Sequence, residues 1–465
     1  MSILIKNGTL ILPEGTVVSD LFVEAGTITL IGPHLAQAAE NVIDATGKII
    51  LPGGIDVHTH LDAPVGGTVS SDDFETGTKA AAFGGTTCVV DFATQSRGKS
   101  LRSAYDLWRE KAANAVIDYG LHMIIVDIAN GQLEELENLI DDGVSSFKLF
   151  TAYPGALMVD DATILQVMLR AGRKGAMVAV HAENGSVIQY LVRQALEQGR
   201  TAPIEHALTR PPITEAEAVH RVIAIARMAG VPVYLVHVST WEAVDEIARA
   251  RAMGVHVLGE TCPQYLLLTK DDLARPGFEG AKFVLTPPLR EHADQEALWK
   301  ALEGDDLQVV STDHCPFFFE TQKKSGLNDF SKIPNGGPGI ENRLQLLYHF
   351  GVNEGRISLR KWVDIVATNP AKLFGLYPTK GALQVGSDAD IVIWNPDLQH
   401  TISAATHHMR VDYSMYEGIT VRGNAETVIS RGEIIMERNQ WHGKSGRGKY
   451  LRRFPVADSW FTRGI

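Results

Sequence analysis

Eight short apolar segments recur through the middle of the chain, and amphipathic stretches separate most of them. The segments fall at 49–57, 86–93, 121–127, 146–151, 176–182, 232–238, 255–261 and 307–313. The intervals between them show helical periodicity, as at 101–115, 133–141, 162–173 and 216–229. Eight strand–helix alternations, with no glycine-rich dinucleotide motif after the first strand, favour an α/β fold of the (β/α)8 TIM-barrel type over an open doubly wound sheet.

Both ends of the chain have a different pattern. Residues 3–50 contain short strands separated by turn-forming pairs such as Asn7-Gly8 and Ala25-Gly26, and similar strands return at 389–394, 427–430 and 433–436. Because short strands need partners and a common core, we expect one small β-sandwich built from both termini. The predicted organisation is a sandwich at 1–51 and 377–441, a barrel at 52–376 and a tail at 442–465.

Candidate metal ligands lie at the carboxyl ends of the predicted strands. His58 and His60 end the first one, and residues i and i+2 of a strand point to the same face, so two imidazoles can converge on one ion. His181, His237 and Asp313 each follow a further apolar run. The carboxyl ends of all strands in a barrel open at one mouth, so we expect these side chains to meet there.

Lys148 interrupts the apolar segment SFKLF at 146–150. A buried lysine is costly unless it is neutralised, paired or chemically modified. Taken singly, these residues have simpler interpretations, namely a surface pair of histidines, core histidines with satisfied hydrogen bonds and a lysine that reaches solvent. Five strand ends that offer hard or borderline ligands together favour a metal centre.

The composition argues against several other classes of protein. A net charge of −12 and an isoelectric point near 5.7 argue against nucleic acid or an anionic membrane as a partner. Three cysteines without a CxxC pair form no disulfide framework, which suits a reducing cytoplasm. No stretch reaches the roughly 20 apolar residues of a membrane helix, and the start lacks a leader pattern. We therefore expect a soluble, unprocessed cytoplasmic protein.

Seven motifs give the chain a resemblance to a known family. They are GGIDVHTH at 53–60, SFKLF at 146–150, HAENG at 181–185, VHVS at 236–239, ETC at 260–262, STDHC at 311–315 and IPNGGPGIE at 333–341. From end to end the chain resembles the cyclic-amidase branch of the amidohydrolase superfamily, and within it dihydropyrimidinase and D-hydantoinase. No single motif is specific, but the set is.

The resemblance implies two zinc ions per subunit, bridged by a hydroxide and by Lys148 in its carboxylated form, N6-carboxylysine. In the family pattern His58, His60 and Asp313 hold one ion, and His181 and His237 hold the other. Carboxylation turns the lysine amine into a carboxylate-like ligand, which removes the cost of burying a cation. Manganese or cobalt can occupy the same ligands.

The resemblance also implies the chemistry. The bridging hydroxide attacks the ring amide carbonyl, Asp313 transfers the proton to the leaving nitrogen, and the ring opens to an N-carbamoyl amino acid. Tyr153 matches the hydroxyl that stabilises the oxyanion, although by itself it also suits a packed aromatic. The expected substrates are dihydrouracil, dihydrothymine or 5-substituted hydantoins, and the expected assembly is a homotetramer in which the tail at 442–465 contacts a neighbouring subunit.

Two further groups of residues match substrate-binding positions of the family. The backbone groups of Thr286 and Asn335 correspond to those that bind the ring's amide and carbonyl groups. A set of four apolar residues corresponds to the lid over the exocyclic substituent: Ala63, Val65, Phe150 and Leu157. Several relatives carry larger side chains at three of these lid positions, so we expect a roomier pocket that accepts bulky 5-substituents.

Four alternatives compete with this prediction. Dihydroorotase would want an arginine shortly after His60, and residues 61–64 supply none. Allantoinase shares the ligand set and stays open, although the 62–67 and Asn335 segments look more like dihydropyrimidinase. The non-enzymatic collapsin response mediator proteins lack the six metal ligands, which are all present here. A structural zinc protein is disfavoured because such sites are usually closed and rich in cysteine.

Overall fold

The structure, a computed structural model, describes residues 2–129 and 131–455, so the end of the predicted tail, 456–465, lies outside it. The amino-terminal region forms strands, and Ala25 at one of the predicted turns adopts a positive φ angle of 50°. The turn predicted at Asn7-Gly8 is wrong, because this pair lies inside one continuous strand, where Asn7, with a φ of 62°, belongs to a bulge between Ile5 and Gly8. These strands are β1 (Ser2–Leu12), β2 (Gly15–Glu24), β3 (Thr27–Gly32), β4 (Asn41–Asp44) and β5 (Ile49–Pro52).

Eight parallel strands form the centre of the molecule, and a two-stranded hairpin follows the first of them. The strands are β6 (Gly54–Thr59), the hairpin β7 (Pro64–Val65) and β8 (Thr68–Val69), β9 (Thr86–Thr94), β10 (Asp118–Ile124), β11 (Ser146–Phe150), β12 (Met177–His181), β13 (Val233–Leu235), β14 (Val257–Thr261) and β15 (Val309–Val310). Each strand pairs with the next in the chain. A parallel bridge between Thr59 and His314 joins the last strand region to the first. The predicted (β/α)8 barrel is therefore confirmed.

Helices follow the barrel strands and cover them. They are α1 (Phe74–Phe83), α2 (Leu101–Lys111), α3 (Gln132–Asp141), α4 (Asp161–Gly172), α5 (Gly185–Glu197), α6 (Glu205–Leu208), α7 (Ile213–Ala229), α8 (Trp241–Ala252), α9 (Pro263–Leu267), α10 (His292–Glu303), α11 (Arg343–Leu347), α12 (Leu359–Val363) and α13 (Asn369–Leu373). Along β12, Val178 and Val180 pack in the cluster that contains the helices, whereas Met177 and Ala179 pack in the barrel interior. Among the described residues, no helix combines the length and apolar character that a membrane crossing needs.

The last strands return to the first ones. They are β16 (Ile391–Thr401), β17 (Thr420–Ser430), β18 (Glu433–Glu437) and β19 (Gln440–Trp441), and β16 pairs antiparallel with β5. The sheet order is β19-β18-β17-β16-β5-β1-β2-β3, with β4 on β1. Ile28 of β3 and Ile429 of β17 share one apolar cluster although their strands lie far apart in this order. The sheet therefore folds over a core of its own, which gives the small sandwich expected from both termini.

The strand predicted at 49–57 is wrong as a single element, because the chain changes sheet at Gly53. Strand β5 belongs to the terminal sheet and β6 to the barrel. A Cβ at Gly53 would lie 2.0 Å from Oγ1 of Thr87, so only glycine allows this close crossing. The predicted strand at 307–313 is also shorter, since only Val309–Val310 pairs as a strand.

The described part of the tail lies along its own barrel. The backbone of Tyr119 pairs with Lys449 and Leu451, with N···O distances of 2.9 and 2.7 Å, and Arg453 is buried. The contact of this tail with a neighbouring subunit stays a prediction.

Candidate metal centre and active site

The first and last barrel strands bring three candidate ligands together. Oδ1 of Asp313 lies 3.2 Å from Nε2 of His58 and 3.2 Å from Nε2 of His60. One ligand atom from each residue lies within 4.8 Å of the other two. The His58 side chain is 1% exposed, whereas those of His60 and Asp313 keep 16% and 13%, so this group opens toward the barrel mouth.

A second pair of histidines adjoins this group. Nδ1 of His181 lies 2.9 Å from Nε2 of His237, and the ring centres of His58 and His237 are 5.4 Å apart. His181 ends β12, and His237 follows β13 by two residues. The structure therefore gathers all five predicted histidine and aspartate ligands at one end of the barrel.

Buried carboxylates orient two of these imidazoles from behind. Nδ1 of His58 bonds to Glu260, whose other oxygen accepts a hydrogen bond of 2.9 Å from the Tyr234 hydroxyl. Nε2 of His181 lies 2.7 Å from Oε2 of Glu183. A neutral imidazole that donates from one nitrogen keeps a lone pair on the other, so Nε2 of His58 and Nδ1 of His181 are available as ligands.

Electrostatics keep His58 and His237 in the form that binds metals. Burial, together with the charge of nearby Lys148, lowers the pKa of His58 well below its usual value. Burial and the neighbouring His181 lower the pKa of His237 in the same way, and its Nδ1 has no hydrogen-bond partner among the described residues. The two rings are therefore neutral, which metal coordination requires.

Lys148 stands in β11 with its side chain inside the barrel mouth. It is 1% exposed, and its Nζ lies 5.0 and 5.2 Å from the ring centres of Phe92 and Phe150. Burial lowers the pKa of the amine to about 8 against the opposing influence of Glu260 and Asp313. A partly neutral amine is a nucleophile for carbon dioxide, so the surroundings of Lys148 fit carboxylation, and the whole donor set fits divalent metal ions.

Three residues of the site adopt the left-handed backbone conformation. Their φ angles are 65° at Tyr153, 41° at His237 and 52° at Asp313. This region is unfavourable for residues with a side chain and occurs where the surrounding structure imposes it. The barrel thus holds a candidate oxyanion donor and two candidate ligands in strained positions at the same opening.

Two of the predicted substrate-binding residues, Tyr153 and Thr286, line one cavity. The ring centre of Tyr153 lies 5.5 Å from that of His181, and Thr286 and Asn335 are polar neighbours of its hydroxyl. Burial raises the pKa of the Tyr153 hydroxyl to about 12, with a further contribution from Glu183. The hydroxyl therefore stays protonated and can donate a hydrogen bond at neutral pH.

The four predicted lid residues come from two separate segments of the chain. Phe150 and Leu157 belong to one apolar cluster with Tyr153. Ala63 and Val65 belong to the loop after His60, where the Ala63 amide donates to Oγ of Ser70 at 2.9 Å. The same Ser70 hydroxyl donates to the His60 carbonyl at 2.6 Å. The loop with Ala63 and Val65 is therefore tied directly to a candidate ligand.

Known proteins with similar sequences and structures agree with this description of the site. The model of the amidohydrolase family matches residues 49–435. A D-hydantoinase of Streptomyces coelicolor is 52% identical and one of Geobacillus stearothermophilus is 51% identical, each over 97% of both chains. The crystal structure of a dihydropyrimidinase from Brevibacillus agri superposes with a TM-score of 0.97 at 51% identity, covering 98% of this chain and 100% of that one.

Together the closed barrel and the ligands gathered at its mouth define a TIM-barrel enzyme with a site suited to metal ions. The chain belongs to the amidohydrolase family, and it is a cyclic amide hydrolase. The resemblance to dihydropyrimidinase and D-hydantoinase is confirmed.

Proposed function

We propose that the protein opens the ring amide of 5,6-dihydropyrimidines or 5-substituted hydantoins and releases an N-carbamoyl amino acid. The observation that carries this proposal is the grouping of five ligand residues and the buried Lys148 beside the hydroxyl of Tyr153. The names of relatives that are half identical over nearly the whole chain support the substrate class.

We assign two zinc ions to this site. One ion would be held by His58, His60 and Asp313, and the other by His181 and His237. Carboxylated Lys148 would bind both ions. When bound, the ions would lower the pKa of a water molecule and polarise the ring carbonyl. The imidazole and carboxylate donors suit zinc, and the carboxylates behind His58 and His181 fix which nitrogens face the ions.

Asp313 would move the proton. Burial opposes its charge, but His58 and His60 outweigh that effect and lower the pKa of the carboxyl group. A charged carboxylate can accept a proton, and the partial exposure of Asp313 at the barrel mouth leaves it accessible to a substrate. Delivery of that proton to the ring nitrogen turns it into a leaving amine.

Tyr153 would stabilise the charge that develops on the attacked carbonyl oxygen. Burial raises the pKa of its hydroxyl to about 12, so the hydroxyl is protonated, and the contact of its ring with His181 places it at the site before substrate arrives. A donor that is fixed beforehand is most effective at the transition state, because it needs no reorganisation.

The backbone groups of Thr286 and Asn335 would bind the ring. A cyclic imide or ureide presents alternating N–H donors and C=O acceptors, which main-chain amides and carbonyls complement. Ala63, Val65, Phe150 and Leu157 would cover the substituent at carbon 5, and the small side chain of Ala63 would leave room for a bulky one.

We also propose a cytoplasmic homotetramer. Its three cysteines are all unpaired and buried, which supports a reducing compartment. The tetramer can be tested by removing residues 455–465, because this deletion leaves the contacts of Tyr119 with the rest of the tail intact. Light scattering should then show fewer subunits per particle than for the full chain. An unchanged number of subunits would show that these residues do not hold the subunits together.

The test of the proposed function is ring opening by zinc-supplied protein. Dihydrouracil and a 5-substituted hydantoin should be hydrolysed, whereas dihydroorotate and allantoin should not. Hydrolysis of allantoin alone would favour allantoinase. No turnover of any of the four by protein that has bound two metals per subunit would show that the substrate assignment is wrong.

A further inference from the structure

The segments that carry Thr286 and Asn335 meet at a third residue, Lys323. Its Nζ donates hydrogen bonds to the carbonyl oxygens of Val284 at 2.8 Å, Pro334 at 2.8 Å and Gly336 at 2.7 Å. One of these acceptors belongs to the Thr286 segment, and the other two flank Asn335. A single side chain therefore joins both segments, which are also linked by one backbone hydrogen bond of 3.1 Å from the Gly336 amide to the Val284 carbonyl.

The surroundings of Lys323 match an ammonium group that is held by main-chain carbonyls. The side chain is fully buried, and an ammonium has three N–H donors, one for each of the three acceptors. Among residues 2–129 and 131–455, no carboxylate lies within ion-pair distance of its Nζ. A buried lysine without a countercharge is costly for packing alone, since an apolar side chain of similar length fills the same space.

The carbonyl groups on either side of Thr286 also accept hydrogen bonds, whereas the backbone groups of Thr286 and Asn335 themselves are unpaired. Nε2 of His206 lies 2.9 Å from the Leu285 carbonyl, and the Tyr265 hydroxyl donates to the Pro287 carbonyl at 2.8 Å. Within the described chain, the backbone amide and carbonyl of Thr286 and Asn335 take part in no hydrogen bond. Buried side chains thus fix the residues on either side, and the unpaired groups point to a ligand.

We propose that Lys323 is a positioning residue for substrate: it holds the two segments at the spacing at which the backbone of Thr286 and Asn335 grips the cyclic amide. This inference rests on the proposed function. It assigns Lys323 to ring binding, which predicts an effect on KM that a purely structural lysine would not have.

The test compares Lys323→Met with Lys324→Met in the zinc-loaded enzyme. Methionine keeps the length of the side chain and removes all donors, whereas Lys324 is a neighbouring lysine that pairs with Glu320 at the surface. Lys323→Met should raise KM for the preferred ring substrate about tenfold or more, with a smaller change in kcat and the same metal content. Hydrogen exchange should become faster at the amides of 284–286 and 335–337. Lys324→Met should behave as wild type.

Two results would overturn the inference while the proposed function stands. One is an unchanged KM in folded Lys323→Met, and the other is a lower kcat at unchanged KM. Lys323→Gln, which keeps two donors, provides a second variant and should give an intermediate KM. If both Lys323 variants fail to fold while Lys324→Met folds, the lysine is structural and the inference is wrong. A wild-type protein without turnover of any cyclic amide overturns the proposed function itself, and this inference with it.

Discussion

Nε2 of His181 lies 2.7 Å from Oε2 of Glu183, two residues further along the same chain segment. The carboxylate is fully buried and turns the opposite ring nitrogen toward His237, 2.9 Å away. The order of contacts is therefore carboxylate, imidazole and candidate metal position, an arrangement in which the carboxylate sets both the tautomer and the direction of the ligand.

Glu183→Gln should weaken metal binding at this position. The amide accepts a hydrogen bond less strongly than the carboxylate, so we expect metal affinity to fall by about tenfold or more, and turnover at limiting zinc to fall with it. Titration with zinc under a competing chelator measures the affinity. Glu197→Gln, an exposed residue on helix α5, is the control and should leave affinity unchanged. Equal affinity for Glu183→Gln and wild type would contradict the assignment.

Lys148 should carry a carboxyl group when metals are bound. Protein loaded with zinc in carbon-13 bicarbonate should show a carbamate carbon by NMR, and Lys148→Ala should lose both the signal and most of the bound metal. The surface residue Lys174, which pairs with Asp141, provides the matched control Lys174→Ala. A metal-loaded wild-type enzyme with no carbamate signal would rule out this ligand.

Tyr153→Phe should lower kcat by about 10² to 10³-fold, because it removes one donor to the developing oxyanion. Metal content should stay the same, since Tyr153 is not one of the candidate ligands. Tyr190→Phe, at a position that is 55% exposed, controls for the loss of a phenolic hydroxyl. Turnover equal to wild type would remove Tyr153 from the mechanism.

Ala63→Met should restrict the substrate range. Ala63 is 2% exposed, so a longer side chain there must take space from the pocket or displace the loop after His60. We expect kcat/KM to fall for a hydantoin with an aromatic substituent and to change little for dihydrouracil. Val69→Met, at an exposed position in the β7–β8 hairpin that follows Ala63, is the control. Improved turnover of the aromatic hydantoin would contradict the predicted lid.

The fold was largely predictable because apolar runs repeat eight times and most of the intervals between them show helical periodicity. The main error concerned Gly53, where the segment predicted as one strand, 49–57, serves two sheets. The hydrophobic pattern does not reveal that the chain passes from one sheet to the other, because β5 and β6 are both buried. The determinant is a steric contact with Thr87, a residue that lies 34 positions away in the chain, and only the folded structure shows it.

The candidate ligands were predictable for a similar reason, since each follows an apolar strand. Glu260 and Glu183 lay inside recognised motifs, yet nothing in the sequence linked them to His58 and His181. A buried acid within or just after a strand was the available signal. Lys323 gave no such signal. It begins a single 3₁₀ turn, Lys323–Gly326, and its partners are backbone carbonyls, which are the same for every residue type.

The barrel closes at the bridge between Thr59 and His314, which we call the seam. Beside this seam lie three candidate ligands, His58, His60 and Asp313. An ion held by these three residues, as proposed above, would link the two ends of a continuous parallel sheet. Because such an ion would bind the closed sheet better than an open one, its binding would stabilise closure of the barrel. Chelation would then loosen the architecture at its seam, and the chemistry and the integrity of the barrel would be lost together.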